Sequence, residues 1–188
     1  MPPADGVAVI GIGNTFRGDD GVGWAVVAHL RERSVRWEAP PVLARSDGDP
    51  GRLIALWEDT ALTVVVDACF PRSATPGRVH RWCAVSLTAA LHSAAAGRHS
   101  THGFGPAEAL RLGDALGRRP ERLVVYGVEG ADRSLGTGLT RAVAARVPEL
   151  ARRIEAEIRH HQASAAGRER RGAARDDTPR PLGDPEDT

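Results

Sequence analysis

The sequence contains no lysine: its 25 basic residues outside histidine are all arginine. A Walker A loop, which closes on Gly-Lys-Ser/Thr, is therefore excluded wherever glycines gather. Aromatic residues make up 4% of the chain, so there are few rings to stack nucleobases, and the core must be built from Val, Leu, Ile and Ala. The 2 cysteines, Cys69 and Cys83, stand apart rather than in a CxxC pair, which argues against a disulfide framework and a zinc knuckle. Acidic residues number 24, leaving a net charge of +1 and no global field that favours nucleic acid or a membrane surface. No HExxH helix and no GxSxG elbow is present, so a zinc-protease helix and a serine-hydrolase nucleophile are both missing. No apolar run is long enough to span a bilayer, and "MPPADGVAVIGIG" has no basic stretch ahead of its apolar one. No signal peptide is expected, and the expected location is cytoplasmic.

What remains is a chain of 188 residues, suited to one domain with a sizeable core. Four β-branched, continuous apolar runs read as buried parallel strands: "VAVIGI" (7–12), "PVLARS" (41–46), "LTVVVDA" (62–68) and "RLVVYGV" (122–128). "GRVHRWCAV" alternates and reads as one strand more. Helical patterns lie between them. One starts near Asp20 and aligns Val22, Val26 and Leu30; another aligns Leu53, Ile54 and Trp57; a third is "PAEALRLGDALG", opened by a proline suited to a first turn. The last aligns Val143, Val147, Leu150, Ile154 and Ile158, and Pro148 should kink or split it. The expected fold is α/β and three-layered, a twisted, mostly parallel central sheet with helices on both faces, over residues 1–162. Residues 163–188 lack apolar periodicity and are expected to be a disordered charged tail.

The stretch "GIGNTFRGDDGVG" (11–23) poses the functional question. Its glycines suggest a phosphate loop, but the third position of a G-x-G-x-x-G fingerprint is Phe16, and a phosphate at this helix start would face Asp19 and Asp20. Two readings of the acidic pair remain. Either aspartate can cap the helix, or one caps it while the other points into the crevice beyond the strand ends.

Two further polar residues belong to the same edge. Asp67 ends a run of apolar residues in a strand expected to be central, where a carboxylate is costly unless paired, hydrogen-bonded or metal-bound. The alternative is a turn carboxylate bonded to backbone amides. His102 lies in the glycine-flanked loop of "HSTHGFGPAEAL"; His92 and His99 lack that setting. Together Asp20, Asp67 and His102 would offer two carboxylates and an imidazole, a set that suits a borderline divalent metal without distinguishing nickel from zinc or manganese. Cys69 is expected to be a small buried hydrophobe, at most an accessory soft ligand.

The ordered set "GIGNTFRGDDGVG", "VVVDA", "STHGFG", "VVYGVEGAD" and "GLTRAV" resembles the hydrogenase maturation proteases, from about Val7 to about Ile158. That family comprises the endopeptidases that trim the C-terminal extension from the large subunit of nickel–iron hydrogenases. The resemblance implies that Asp20, Asp67 and His102 form the metal site, catalytic as well as metal-binding. It implies that they engage nickel already inserted in the large-subunit precursor, so that the metal is read on the substrate. Some members carry glutamate where this chain has Asp20, and "SDGDPG" (46–51) differs from the glycine-rich turn common in the family. Two acids, an imidazole and no nucleophile point to hydrolysis by activated water. A competing expectation is a module that recognises a metallated partner without cutting it.

Overall fold

The computed structural model describes residues 6–33, 37, 39–84 and 105–176. Five strands form one sheet in the order β2-β1-β3-β5-β4. These are β1 (Gly6–Ile12), β2 (Val42–Ser46), β3 (Thr60–Cys69), β4 (Val79–Ala84) and β5 (Leu123–Glu129). β1, β2, β3 and β5 run parallel, and β4 closes the edge antiparallel to β5. β3 is the central strand, as its unbroken apolar run implied.

The helices are α1 (Val22–Glu32), α2 (Pro50–Trp57), α3 (Gly105–Ala115), the single turn α4 (Arg141–Ala144) and α5 (Val147–Asp176). Alternation along the strands divides the core into two layers. Val7 and Val9 of β1, with Leu62, Val64 and Val66 of β3, pack against Val22, Val26 and Leu30 of α1 and Leu150, Ile154 and Ile158 of α5. The intervening residues Ala8, Ile10, Ile12 and Val65 meet Leu53, Ile54 and Trp57 of α2 and Ala109 of α3. Both faces of the parallel strands are thus covered, which is why their sequences are continuously apolar.

Two expectations about the C-terminal part meet the structure differently. The helical stripe does divide before Pro148: α4 ends at Ala144, and Pro148 falls in the first turn of α5, where its missing N–H is not needed. Of the stretch expected to be a disordered tail, residues 163–176 are helical, and residues 177–188 lie outside the described residues. Packing of residues 147–161 has already met the cost of nucleating α5, and an Ala- and Arg-rich continuation extends a helix readily once it is nucleated. Among the described residues, no helix is long and apolar enough to cross a membrane.

Candidate active site

The chain leaves β1 through glycines that serve close packing. A Cβ on Gly11 would lie 2.1 Å from the Gly23 carbonyl oxygen, and one on Gly23 would lie 2.5 Å from that of Val66. The start of α1 therefore rests directly on β1 and β3, which any side chain at either position would prevent. Gly13 turns the chain with a φ of +145°. A 3-10 turn, Gly18–Gly21, then precedes α1 and abuts β3.

The two aspartates of that turn have different partners. Neither caps its own helix: the N-cap positions of the 3-10 turn and of α1 are Arg17 and Gly21, and neither start has a side-chain cap. This corrects the capping reading. The fully buried Asp19 reaches across to the loop after β5. It accepts the amides of Ala131 (2.8 Å), Asp132 (3.1 Å) and Thr140 (2.7 Å) and the hydroxyl of Thr140 (2.9 Å). Its backbone amide also donates to the Asp132 carbonyl at 2.8 Å.

Asp20, only 1% exposed, lines a cleft of about 630 Å³ together with Asn14, Phe16, Arg17, Asp47 and Arg133. Asp47 belongs to the "SDGDPG" loop, so the segment that departs from the family turn does border the crevice. In that loop the Ser46 hydroxyl accepts the Gly48 amide at 3.1 Å, and Asp49 caps α2 by accepting the Arg52 amide at 2.8 Å, ahead of Pro50.

Asp67 lies at the carboxyl end of β3, 6% exposed, and its Oδ1 accepts the Ala68 amide at 2.9 Å. Its register partner is Gly127 of β5. Strand alternation directs Asp67 to the same face as Val65, toward α2 and α3. Asp20 and Asp67 both lie at the carboxyl ends of parallel strands, Asp67 on the α2 and α3 side and Asp20 just before α1, which packs on the opposite face. His102, the third expected ligand, lies outside the described residues, as do His92 and His99. Among the described residues, no group of three or more His, Cys, Asp or Glu side chains is arranged to hold a metal ion.

Cys69, two residues beyond Asp67, sits in surroundings that oppose formation of a thiolate. Burial, reinforced by the neighbouring charges of Glu129 and Asp67, pushes its thiol up to about 12, so it stays protonated at neutral pH. Glu129, its register partner on β5, is a rim residue that sequence reasoning missed. Burial pulls its pKa upward, but the Thr75 amide, His80 and Arg78 outweigh this and hold the carboxyl below its ordinary value. His80 Nε2 lies 2.6 Å from Glu129 Oε1. The signal in "VVYGVEG" was the one that singled out Asp67, a carboxylate closing an apolar strand. No local signal pairs Asp19 with Thr140, which are 121 residues apart.

No protein-family model and no curated protein matches the chain. Solved structures do. The hydrogenase maturating endopeptidase HybD from E. coli superposes with a TM-score of 0.66 at 21% identity, covering 82% of this chain and 93% of that one. The [NiFe] hydrogenase maturation protease HybD from Thermococcus kodakarensis gives 0.65 at 22% identity, covering 81% and 99%. HycI, a [NiFe] hydrogenase maturation protease from Thermococcus kodakarensis KOD1, gives 0.57 at 24% identity, covering 82% and 92%. By three-dimensional likeness, this chain has the fold of the hydrogenase maturation endopeptidases.

Proposed function

We propose that this protein is an endopeptidase that removes the C-terminal extension from the large-subunit precursor of a nickel–iron hydrogenase after nickel insertion. The nickel belongs to the substrate and acts as the recognition element. The observation that carries the reading is the division of labour between adjacent carboxylates. Asp19 accepts four hydrogen bonds that hold two loops together, and Asp20 lines the cleft in a fold shared with proteins of that activity.

The roles follow from residue chemistry. Asp20, Asp67 and His102 would engage the substrate's metal through two carboxylate oxygens and one imidazole nitrogen, a donor set suited to nickel. Engagement would bring the scissile peptide bond into the cleft. With Cys69 protonated and no serine elbow, water is the attacking nucleophile, and no acyl-enzyme forms. Asp67 or His102 takes the proton from that water and returns one to the leaving amine.

The test is to incubate the purified protein with nickel-loaded and nickel-free precursor and follow intact mass. Loss of a C-terminal peptide from the loaded form alone is the expected result. Equal cleavage of both forms rules out nickel recognition. An unaltered mass with stable complex formation would instead make the protein a non-cleaving recognition module.

A further inference from the structure

Phe16, which lines the Asp20 cleft, and Leu135, on the loop hydrogen-bonded to it, form an unusual pair of side chains. Phe16 is 66% exposed and Leu135 is 83% exposed, in a chain with few exposed large apolar residues among those described. They come from different loops, yet their backbones are joined. The Gly136 amide donates to the Phe16 carbonyl at 3.0 Å, the Gly18 amide donates to the Gly136 carbonyl at 3.2 Å, and Arg17 bridges to Gly136. Asp19 binds the same two loops from beneath. The two apolar groups are thus displayed on a braced platform, so the free protein has already met the ordering cost of binding through them.

The platform carries charge as well. Arg17 and Arg133 are exposed and line the cleft with Phe16. Among the described residues no ion pair engages either. Arg133 rests over the Phe70 ring at 5.7 Å, a contact that leaves its charge available. Asp20 lies at the other extreme of exposure, buried within the same cleft. Exposed apolar side chains beside guanidinium groups that no ion pair engages among the described residues, at the entrance of a polar cleft, mark a protein-binding surface.

We infer that Phe16, Leu135, Arg17 and Arg133 form the docking surface for the substrate protein. Its occupant is a segment that presents an apolar side chain flanked by carboxylates. The assignment rests on the proposed function, because it places the substrate's folded body outside the cleft and its reacting end inside. Charge complementarity selects this occupant: on the two platform loops Arg17 and Arg133, which no ion pair engages among the described residues, outnumber Asp132, whose carboxylate is turned onto the Ser134 amide, and so favour an acidic segment, while the apolar pair supplies contact area.

The experiment measures KM and kcat on the nickel-loaded large-subunit precursor, and separately the Kd of the complex. It compares the wild-type protein with Phe16→Ser/Leu135→Ser and with Arg17→Glu/Arg133→Glu. The expected result for the apolar double variant is a rise of about 10- to 100-fold in KM and Kd, with kcat within about twofold and an unchanged melting temperature. The charge-reversed variant should bind more weakly and lose the salt sensitivity of the wild type. Wild-type cleavage with unchanged KM and Kd in both variants overturns the docking surface and leaves the peptidase intact. A fall in kcat at constant KM also overturns it, since the residues would then act on chemistry. So does a wild-type dimer, seen by sedimentation, that the apolar variant dissolves, because the occupant would be a second copy. If the wild type binds the precursor without cutting it, the peptidase reading fails while weaker binding by the variants still supports docking. If it neither binds nor cuts, both fail.

Discussion

Thr140 donates both its backbone amide, at 2.7 Å, and its hydroxyl, at 2.9 Å, to the carboxylate of Asp19. With the amides of Ala131 and Asp132, this makes Asp19 the tie between the loop after β1 and the loop after β5. The next residue, Asp20, faces the cleft. Two neighbouring carboxylates of the same chemistry are thus separated into one that ties two loops and one that lines the cleft.

The first prediction contrasts them. Asp19→Ala orphans three buried or part-buried amides and a hydroxyl. Hydrogen bonds to a charged group contribute about 1.5–3 kcal/mol each, and they do not sum fully, so a loss of about 3 kcal/mol is expected. For a domain of this size that lowers the melting temperature by roughly 6–12 °C. Asp20→Asn, which keeps the shape of the side chain and an amide oxygen to accept hydrogen bonds, should shift it by less while stopping processing. Thermal melts and precursor mass on both variants check this; equal melting temperatures would refute the division.

Asp67→Asn keeps the shape of the side chain and removes its charge at the end of β3. Processing should fall by at least about a hundredfold, the scale of losing a charged participant in proton transfer or substrate binding. Unimpaired processing removes Asp67 from the mechanism.

Cys69 is held protonated by burial and by the charges of Glu129 and Asp67. Cys69→Ala should therefore process precursor at the wild-type rate within about twofold, because no thiolate step is lost. A large loss of rate would mean that the sulfur participates.

Glu129 provides a pH signature. Its carboxyl is held below the ordinary value of 4.5, against burial, by the Thr75 amide, His80 and Arg78. A depressed folded pKa contributes stability above the unfolded value and loses it as pH falls through the folded one. Urea unfolding should show a wild-type advantage over Glu129→Gln that is full at pH 7 and shrinks as pH drops below about 4.5. An advantage that stays constant down to pH 3 would contradict the assignment.

Truncation tests the C-terminal extension of α5. Removing residues 163–188 deletes the helical stretch from 163 to 176 and should lower the helical circular dichroism per molecule. An unchanged signal would mean that this stretch contributes no helix in solution.

The layered fold was legible in the sequence because burial on two faces leaves a one-dimensional trace. Continuous apolar runs marked the parallel strands, and stripes at helical spacing marked α1, α2 and α5. Asp67 was legible for the converse reason: a carboxylate closing such a run stands out against it. Residues 163–176 were not legible as helix because helix formation there depends on an axis already nucleated upstream, which composition does not record.

What sequence could not separate was Asp19 from Asp20. Side by side, with the same chemistry and the same local propensity, they differ in what lies opposite, and that is set by residues more than 110 positions away. Partners so distant are brought together only when β1 and β5 flank β3 in one sheet. The same closure sets Phe16 beside Leu135 and aims Glu129 at His80. The sequence determined which residues are able to do chemistry here; tertiary structure decided what each of them faces, because a buried carboxylate is defined by the donors that surround it.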